Sequence, residues 1–167
     1  MACDQAYKKL ADICEEFHVP HAAIYSETAY KSSLSSGIFS DTKLYCGMDG
    51  LVQLACLNEA DTVLVAVVGT LGLKPALKAV EHGKDLALAS KEILVMAGKF
   101  FTEAVEKADV RLLPVDSEHN AIFQCLHGES KNSIERIILT ASGGMFRDRP
   151  MDTFDDITPA EAIQHPN

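Results

Sequence analysis

Three apolar runs of strand length, separated by stretches with helical spacing, leave this chain few folds to choose from. Thr62–Val68 reads Thr-Val-Leu-Val-Ala-Val-Val. A continuous β-branched run of this kind suits a strand covered on both faces, as in a parallel sheet. Gly69-Thr70-Leu71-Gly72 turns the chain, Pro75 suits the first turn of a helix, and that helix ends near His82-Gly83-Lys84. Asp85–Ala89 is the next strand, Ile93–Ala108 the next helix and Val110–Val115 the third strand. Strand, helix, strand, helix, strand is the pattern of an α/β domain built on a parallel sheet.

Upstream, Asp4–Phe17 carries Tyr7, Leu10, Ile13, Cys14 and Phe17 at helical spacing, and Val19-Pro20 ends that helix. His21–Tyr25 is a short strand, and Gly47–Leu57 a turn followed by a helix. The Ser-rich stretch Tyr30–Ser40 suits either a loop or a short helix. Downstream, Ile134–Thr140 reads as a further strand, Gly128–Asn132 as a flexible connector, and Thr158-Pro159-Ala160-Glu161 as a helix start. At 167 residues the chain is one domain or slightly more. Its net charge of −9, with no basic cluster, argues against nucleic acid or an anionic membrane as partner. No apolar run is long enough to span a bilayer. The N-terminus lacks the features of a signal peptide. Five cysteines without a Cys-x-x-Cys pair point to reduced thiols in the cytoplasm.

In an open α/β sheet, ligands bind at the carboxyl ends of the strands. Four polar clusters fall at such ends: Gly69–Gly72, Ser90–Glu92, Asp116–Asn120 and Ser142–Gly144. Asp116 and Glu118, two apart, share a face if the backbone is still extended there. Paired carboxylates either share a proton or hold a cation, and an oxygen-only set favours Mg²⁺ or Mn²⁺ over zinc. The alternative is a helix N-terminus capped by Asp116 or Ser117 and running through Ala121, Ile122 and Leu126. A cap and a ligand cluster can occupy one junction. Gly69-x-x-Gly72 suits an ordinary strand-to-helix turn, and it lacks the three-glycine dinucleotide fingerprint. Lys91 is either a solvated lysine or a phosphate or oxyanion contact; in a first helical turn it opposes the helix dipole. Ser142-Gly143-Gly144 is either a loop or an amide-rich phosphate cradle. His119 is read as capping or packing, and the Asp116, Ser117, His119 spacing does not make a hydrolase triad.

The stretch Leu113-Pro114-Val115-Asp116-Ser117-Glu118-His119-Asn120-Ala121-Ile122-Phe123-Gln124 resembles the signature of the 1-deoxy-D-xylulose 5-phosphate reductoisomerases. So do Ala87–Glu92, the run from Leu139 to Gly144 with Phe146-Arg147, and Thr158-Pro159 with His165-Pro166-Asn167. The resemblance runs from about Gly47 to the end and is fainter before that. It implies conversion of 1-deoxy-D-xylulose 5-phosphate to 2-C-methyl-D-erythritol 4-phosphate in the non-mevalonate isoprenoid route. It also implies NADPH and Mg²⁺ or Mn²⁺ as cofactors, inhibition by fosmidomycin, and a homodimer of the bacterial cytoplasm. It further implies a retro-aldol and re-aldol rearrangement, then hydride transfer. Carried over by position, Asp116 and Glu118 are metal ligands. Lys91, Ser117, Glu118, Ser142 and His165 are substrate contacts, with Lys91, Glu118 and His165 at the chemistry. Ser90 and Glu92 lie on the cofactor side, Ser90 standing where the family usually has Asn.

The expected architecture is therefore an α/β, Rossmann-like parallel sheet with helices on both faces, followed by the beginning of an α+β catalytic domain. Residues 1–113 form the later part of the NADPH-binding domain, and 114–167 the start of the metal- and substrate-binding domain. The family's glycine-rich pyrophosphate loop, third metal carboxylate, mobile loop and C-terminal helical domain have no counterpart in these residues. The expectation is an internal fragment that does not turn over substrate alone. Two other readings remain: a non-catalytic α/β nucleotide-binding or dimerisation module, and a different metal-dependent enzyme of phosphorylated sugars.

Overall fold

The computed structural model describes residues 1–140 and 144–164. They fall into two compact units, Met1–Asp116 and Ser117–Asn167.

The first unit opens with β1 (Ala2–Cys3), α1 (Tyr7–Glu16), β2 (His21–Ile24), α2 (Glu27–Ser36), β3 (Lys43–Cys46) and α3 (Gly47–Ala55). It continues with β4 (Thr62–Val65), α4 (Leu73–Glu81), β5 (Asp85–Leu88), α5 (Glu92–Ala108) and β6 (Leu112–Pro114). All strand pairs are parallel, in two three-stranded sheets ordered β1-β2-β3 and β4-β5-β6. This is the expected α/β class, with the expected alternation from Thr62 onward.

Each sheet has its own core. Leu10 and Cys14 of α1 and Ala29 of α2 pack on Ala22 and Ile24 of β2. Ala23 pairs in register with Tyr45, so both point to the other face, where α3 lies close enough that a Cβ on Gly50 would meet the Tyr45 backbone at 2.8 Å. In the second sheet, Leu86 and Leu88 of β5 and Val65 of β4 join Ala76, Ala79 and Val80 of α4 and Ile93, Phe101 and Val105 of α5. Ala55, the last residue of α3, belongs to this same core, so α3 reaches from one sheet to the other.

Two expectations are corrected, one open alternative is decided, and two further strands are found. The Thr62–Val68 run is a strand only to Val65, and it is not covered on both faces: Leu64 is 62% exposed while Val65 is buried. The undecided Ser-rich stretch is helical. Ser26 caps α2 by accepting from the Ala29 amide, and Gly37 ends it at φ +63°. Within α2, Ser33, Ser35 and Ser36 donate their hydroxyls to carbonyls of the preceding turn, which satisfies those side chains without breaking the helix. Ile134–Thr140 is not a strand; among the described residues no strand runs beside it, and a lone extended segment has no ladder to join. The short strands β1 and β3 carry no apolar run of their own and are defined by pairing with β2.

The second unit holds α6 (Ser117–Leu126), three short 3₁₀ turns at Lys131–Ser133, Gly144–Phe146 and Met151–Asp156, and α7 (Pro159–Ala162). Among its residues of described burial, none is buried. Thr158 and Glu161 form a reciprocal capping box at α7, the motif expected from Thr158-Pro159. Glu161 also takes Arg149 Nη1 at 2.9 Å, while Arg149 donates Nε to Thr153 Oγ1 and Nη2 to the Thr153 carbonyl.

Candidate functional site

Parallel register puts the ends of β4, β5 and β6 at one level, since Val65 pairs with Leu88 and Leu88 with Pro114. The segments leaving those ends therefore share one edge: the turn to Gly72, the Ala89–Glu92 segment, and Val115-Asp116. Backbone bonds tie them together. Ala89 N and Ser90 N donate to the Val65 carbonyl at 2.9 and 3.2 Å, and Val115 N donates to the Leu88 carbonyl at 2.9 Å.

Gly69 and Gly72 serve different purposes. Gly69 sits at φ +67° with open space where a Cβ would be, so its role is the left-handed turn. Gly72 has ordinary dihedrals, but a Cβ there would lie 2.7 Å from Val67 Cγ2 and 2.8 Å from Val65 Cγ1. The space above Gly72 is filled by the protein's own side chains, which fits the turn reading rather than a cofactor approach.

Ser90 is buried, and its Oγ donates to the Val67 carbonyl at 2.5 Å, with the Val65 carbonyl at 3.4 Å. The hydroxyl thus pins the segment that follows β4. Lys91 is the residue before α5 and Glu92 its first; both are exposed. Lys91 contributes its carbonyl to the amides of Leu94 and Val95. Ile93, next along, is fully buried in the core and anchors this helix start. Ser90, Lys91, Glu92 and Asp116 are therefore delivered to the same edge of the first unit.

Asp116 leaves β6 half-buried. The backbone does not stay extended through Glu118: α6 begins at Ser117, and Glu118 lies in its first turn. The condition for a shared strand face is thus not met, and the helix-start alternative holds for the backbone. Acidic side chains in a first turn also suit the helix dipole. Among the described residues no group of three or more His, Cys, Asp or Glu side chains converges. Ser142 and His165, with the Ser142-Gly143 part of the glycine cradle, lie outside the described residues.

At the opposite end of the same strands is a pair that sequence reading passed over. Arg111 donates Nε and Nη2 to Asp85 Oδ2 at 2.8 and 2.5 Å, and its backbone N to Asp85 Oδ1 at 2.8 Å. These bonds hold the Asp85 carboxyl below the usual carboxylate range. The only hint in the sequence is an arginine interrupting an apolar run. All five cysteines are free thiols, and burial pushes Cys3 and Cys56 up.

Strands that wind outward in two directions, with polar segments gathered at their carboxyl ends, define a doubly wound α/β protein. The family model described as 1-deoxy-D-xylulose 5-phosphate reductoisomerase matches residues 1–98, and the model of that enzyme's C-terminal domain matches 112–167. The chain belongs to the 1-deoxy-D-xylulose 5-phosphate reductoisomerase family. A reductoisomerase of Clostridium botulinum (strain Loch Maree) is 43% identical over 99% of this chain and 44% of its own length. One from Geobacillus sp. (strain WCH70) is 50% identical over 93% of this chain and 40% of its own. The chain thus spans less than half the length of these curated relatives. Among solved structures, the Zymomonas mobilis reductoisomerase in complex with NADPH has a TM-score of 0.83 at 39% identity, covering 99% of this chain and 43% of that one. A reductoisomerase in complex with NADPH, fosmidomycin and magnesium has a TM-score of 0.77 at 33% identity, over 99% and 43% respectively. No described helix is long and apolar enough to cross a membrane.

Proposed function

We propose that these residues are part of a cytoplasmic, homodimeric reductoisomerase that converts 1-deoxy-D-xylulose 5-phosphate to 2-C-methyl-D-erythritol 4-phosphate with NADPH and Mg²⁺ or Mn²⁺. The observation that carries this reading is the common edge: Ser90, Lys91, Glu92 and Asp116 emerge together at the carboxyl ends of β4–β6, in a chain of this family. In this reading residues 1–113 belong to the NADPH-binding domain and 114–167 to the metal- and substrate-binding domain.

Asp116 and Glu118 would hold the divalent ion, and an all-oxygen pair is the donor set that a hard cation prefers. The ion would supply Lewis acidity toward substrate oxygens, and NADPH the hydride. Lys91, exposed at the start of α5, offers an ammonium group where a phosphate or a developing oxyanion would be neutralised. Ser117, Ser142 and His165 complete the substrate contacts in this proposal. Glu92 faces the cofactor, and Ser90 acts beside it by holding the segment after β4 in place. With less than half of a relative's length present, the 167 residues alone are proposed to lack turnover.

Titration with Mn²⁺, read by electron paramagnetic resonance, tests the metal assignment. Weak saturable binding is expected, reduced at least several-fold in Asp116→Asn and tightened by fosmidomycin. Indifference to both ligands would favour a non-catalytic α/β module. NADPH oxidation dependent on deoxyxylulose phosphate by this chain alone would overturn the claim that it lacks turnover.

A further inference from the structure

Arg149 joins three pieces of chain that the sequence keeps apart. Its guanidinium is a planar fork of donors. Nε donates to Thr153 Oγ1 and Nη2 to the Thr153 carbonyl, both at 3.1 Å, which takes in the Met151–Asp156 turn. Nη1 donates to Glu161 Oε1 at 2.9 Å, which takes in α7. Its Cζ lies 5.8 Å from the centre of the Phe146 ring, and its backbone N donates to the Phe146 carbonyl, so the Gly144–Phe146 turn is tied in as well. The partners are themselves held. Thr153 Oγ1 donates to the Pro150 carbonyl at 2.7 Å. Glu161 Oε2 accepts from the Thr158 backbone N and hydroxyl at 2.8 and 2.7 Å. The Phe146 and Phe154 rings lie 6.4 Å apart.

An exposed ion pair by itself contributes little. Arg149 differs from one in two respects. Its side chain is only 23% exposed. No residue of described burial from Ser117 onward is buried, so polar and ring contacts, rather than an apolar core, hold these pieces together. Pro150 before the Met151–Asp156 turn and Pro159 at the start of α7 stiffen the backbone between the clamped points. The clamped stretch also has a particular place in the chain. Ser142 stands two residues before Gly144, and His165 three after Ala162. Both belong to the proposed substrate contacts.

We propose that Arg149 is a positioning residue for the phosphosugar site: it fixes the Gly144–Phe146 turn against α7, so that Ser142 and His165, flanking the clamped stretch, meet one substrate at a set separation. The proposal rests on the enzymatic reading above. Arg149 acts through those two residues and is not itself a substrate contact. Misplacing a group that grips a substrate by about 1 Å can cost on the order of a hundredfold in rate, so a clamp matters without touching the ligand. Lysine is no substitute for it. A single ammonium on a flexible stem cannot meet Thr153 and Glu161 in one fixed fork.

The test uses the 167-residue chain, with Mn²⁺ affinity measured alone and fosmidomycin affinity measured at saturating Mn²⁺. Arg149→Ala should weaken fosmidomycin at least about tenfold and leave Mn²⁺ within about twofold, because Asp116 and Glu118 lie outside the clamped stretch. Arg149→Lys should remain at least about threefold weaker than the wild type. Glu161→Gln breaks the ion pair but keeps an acceptor for Thr158, and it too should weaken the inhibitor. Combining Arg149→Ala with Glu161→Gln should be no worse than Arg149→Ala alone, as for two groups acting as one unit. Amide resonances of Gly144–Phe146 and of Ala160–Ala162 should shift together in Arg149→Ala, while those of α6 stay. Unchanged fosmidomycin affinity, full rescue by lysine or additive losses in the double variant would overturn the proposal. So would a parallel loss of Mn²⁺ affinity, which means a unit coming apart rather than a site losing alignment. Failure of the wild-type chain to bind Mn²⁺ or fosmidomycin would overturn the enzymatic reading and this proposal with it, so the wild type tells the two failures apart.

Discussion

Gly72 is constrained by its neighbours rather than by its backbone. Val65, Val67 and Ile93 already occupy the volume a methyl group would need, so Gly72→Ala should destabilise the chain by about 1–3 kcal/mol, the usual cost of overpacking. A lower midpoint in urea with an unchanged slope would report it. Ser90 is the polar counterpart. Its hydroxyl is buried against the Val67 carbonyl, and Ser90→Ala should cost about 1–3 kcal/mol for the acceptor left behind. Exchange protection along Val67–Gly72 should fall in the same variant, whereas a purely ligand-contacting serine would leave it unchanged. Sequence pattern identified Gly69-x-x-Gly72 as a turn, and Gly69 has the positive φ such a turn requires. The reason for Gly72 was not legible, because Val67, Val65 and the more distant Ile93 close on it only once the chain has turned back from β4.

At the level of elements, α7 depends on its first turn. Glu161 accepts from the Thr158 backbone N and hydroxyl and from Arg149, and these bonds, the Thr158 backbone bond foremost, hold its pKa at about 2 against an ordinary 4.5. A depressed carboxylate pKa stabilises the fold above the ordinary value and stops doing so as pH falls through the depressed one. Ordering of α7 should therefore be complete above about pH 4.5 and decline toward pH 2. The Thr158 amide resonance should follow that transition, and Glu161→Gln should flatten it. This capping box was readable because its residues are local. The same holds for α1, α4 and β5, whose signals lie within their own segments. The strand expected at Ile134–Thr140 had the right composition, but strand formation depends on a partner, and composition carries no information about one. Helix α2 was ambiguous for a related reason: its serines have no apolar periodicity and are accommodated by bonding back to their own turns.

The whole molecule divides unevenly. Both apolar cores lie in Met1–Asp116, while no residue of described burial from Ser117 onward is buried. Hydrogen exchange should separate the two. Amides of β5, between Leu86 and Leu88, should be protected to the level of global unfolding, and those of α6 should exchange orders of magnitude faster. Comparable protection in both would mean that the second unit has a core of its own. The parallel α/β architecture was legible from three apolar runs and their spacers. The division of the sheet was not, because strand order is a property of space and no segment encodes it alone. The candidate site was legible to the extent that each cluster ends a strand. The turn from strand to helix between Asp116 and Glu118 was legible as well, as the helix start read beside the shared-face alternative.

A sheet left in two pieces also bears on how the protein behaves in the tube. Unpaired strand borders are templates for self-association, and here Leu64 adds a greasy side chain to one of them. What keeps such molecules apart is mutual repulsion from a net charge of −9. Mild acid or concentrated salt weakens that repulsion, and turbidity under those conditions would reflect strand borders finding each other rather than loss of the native helices.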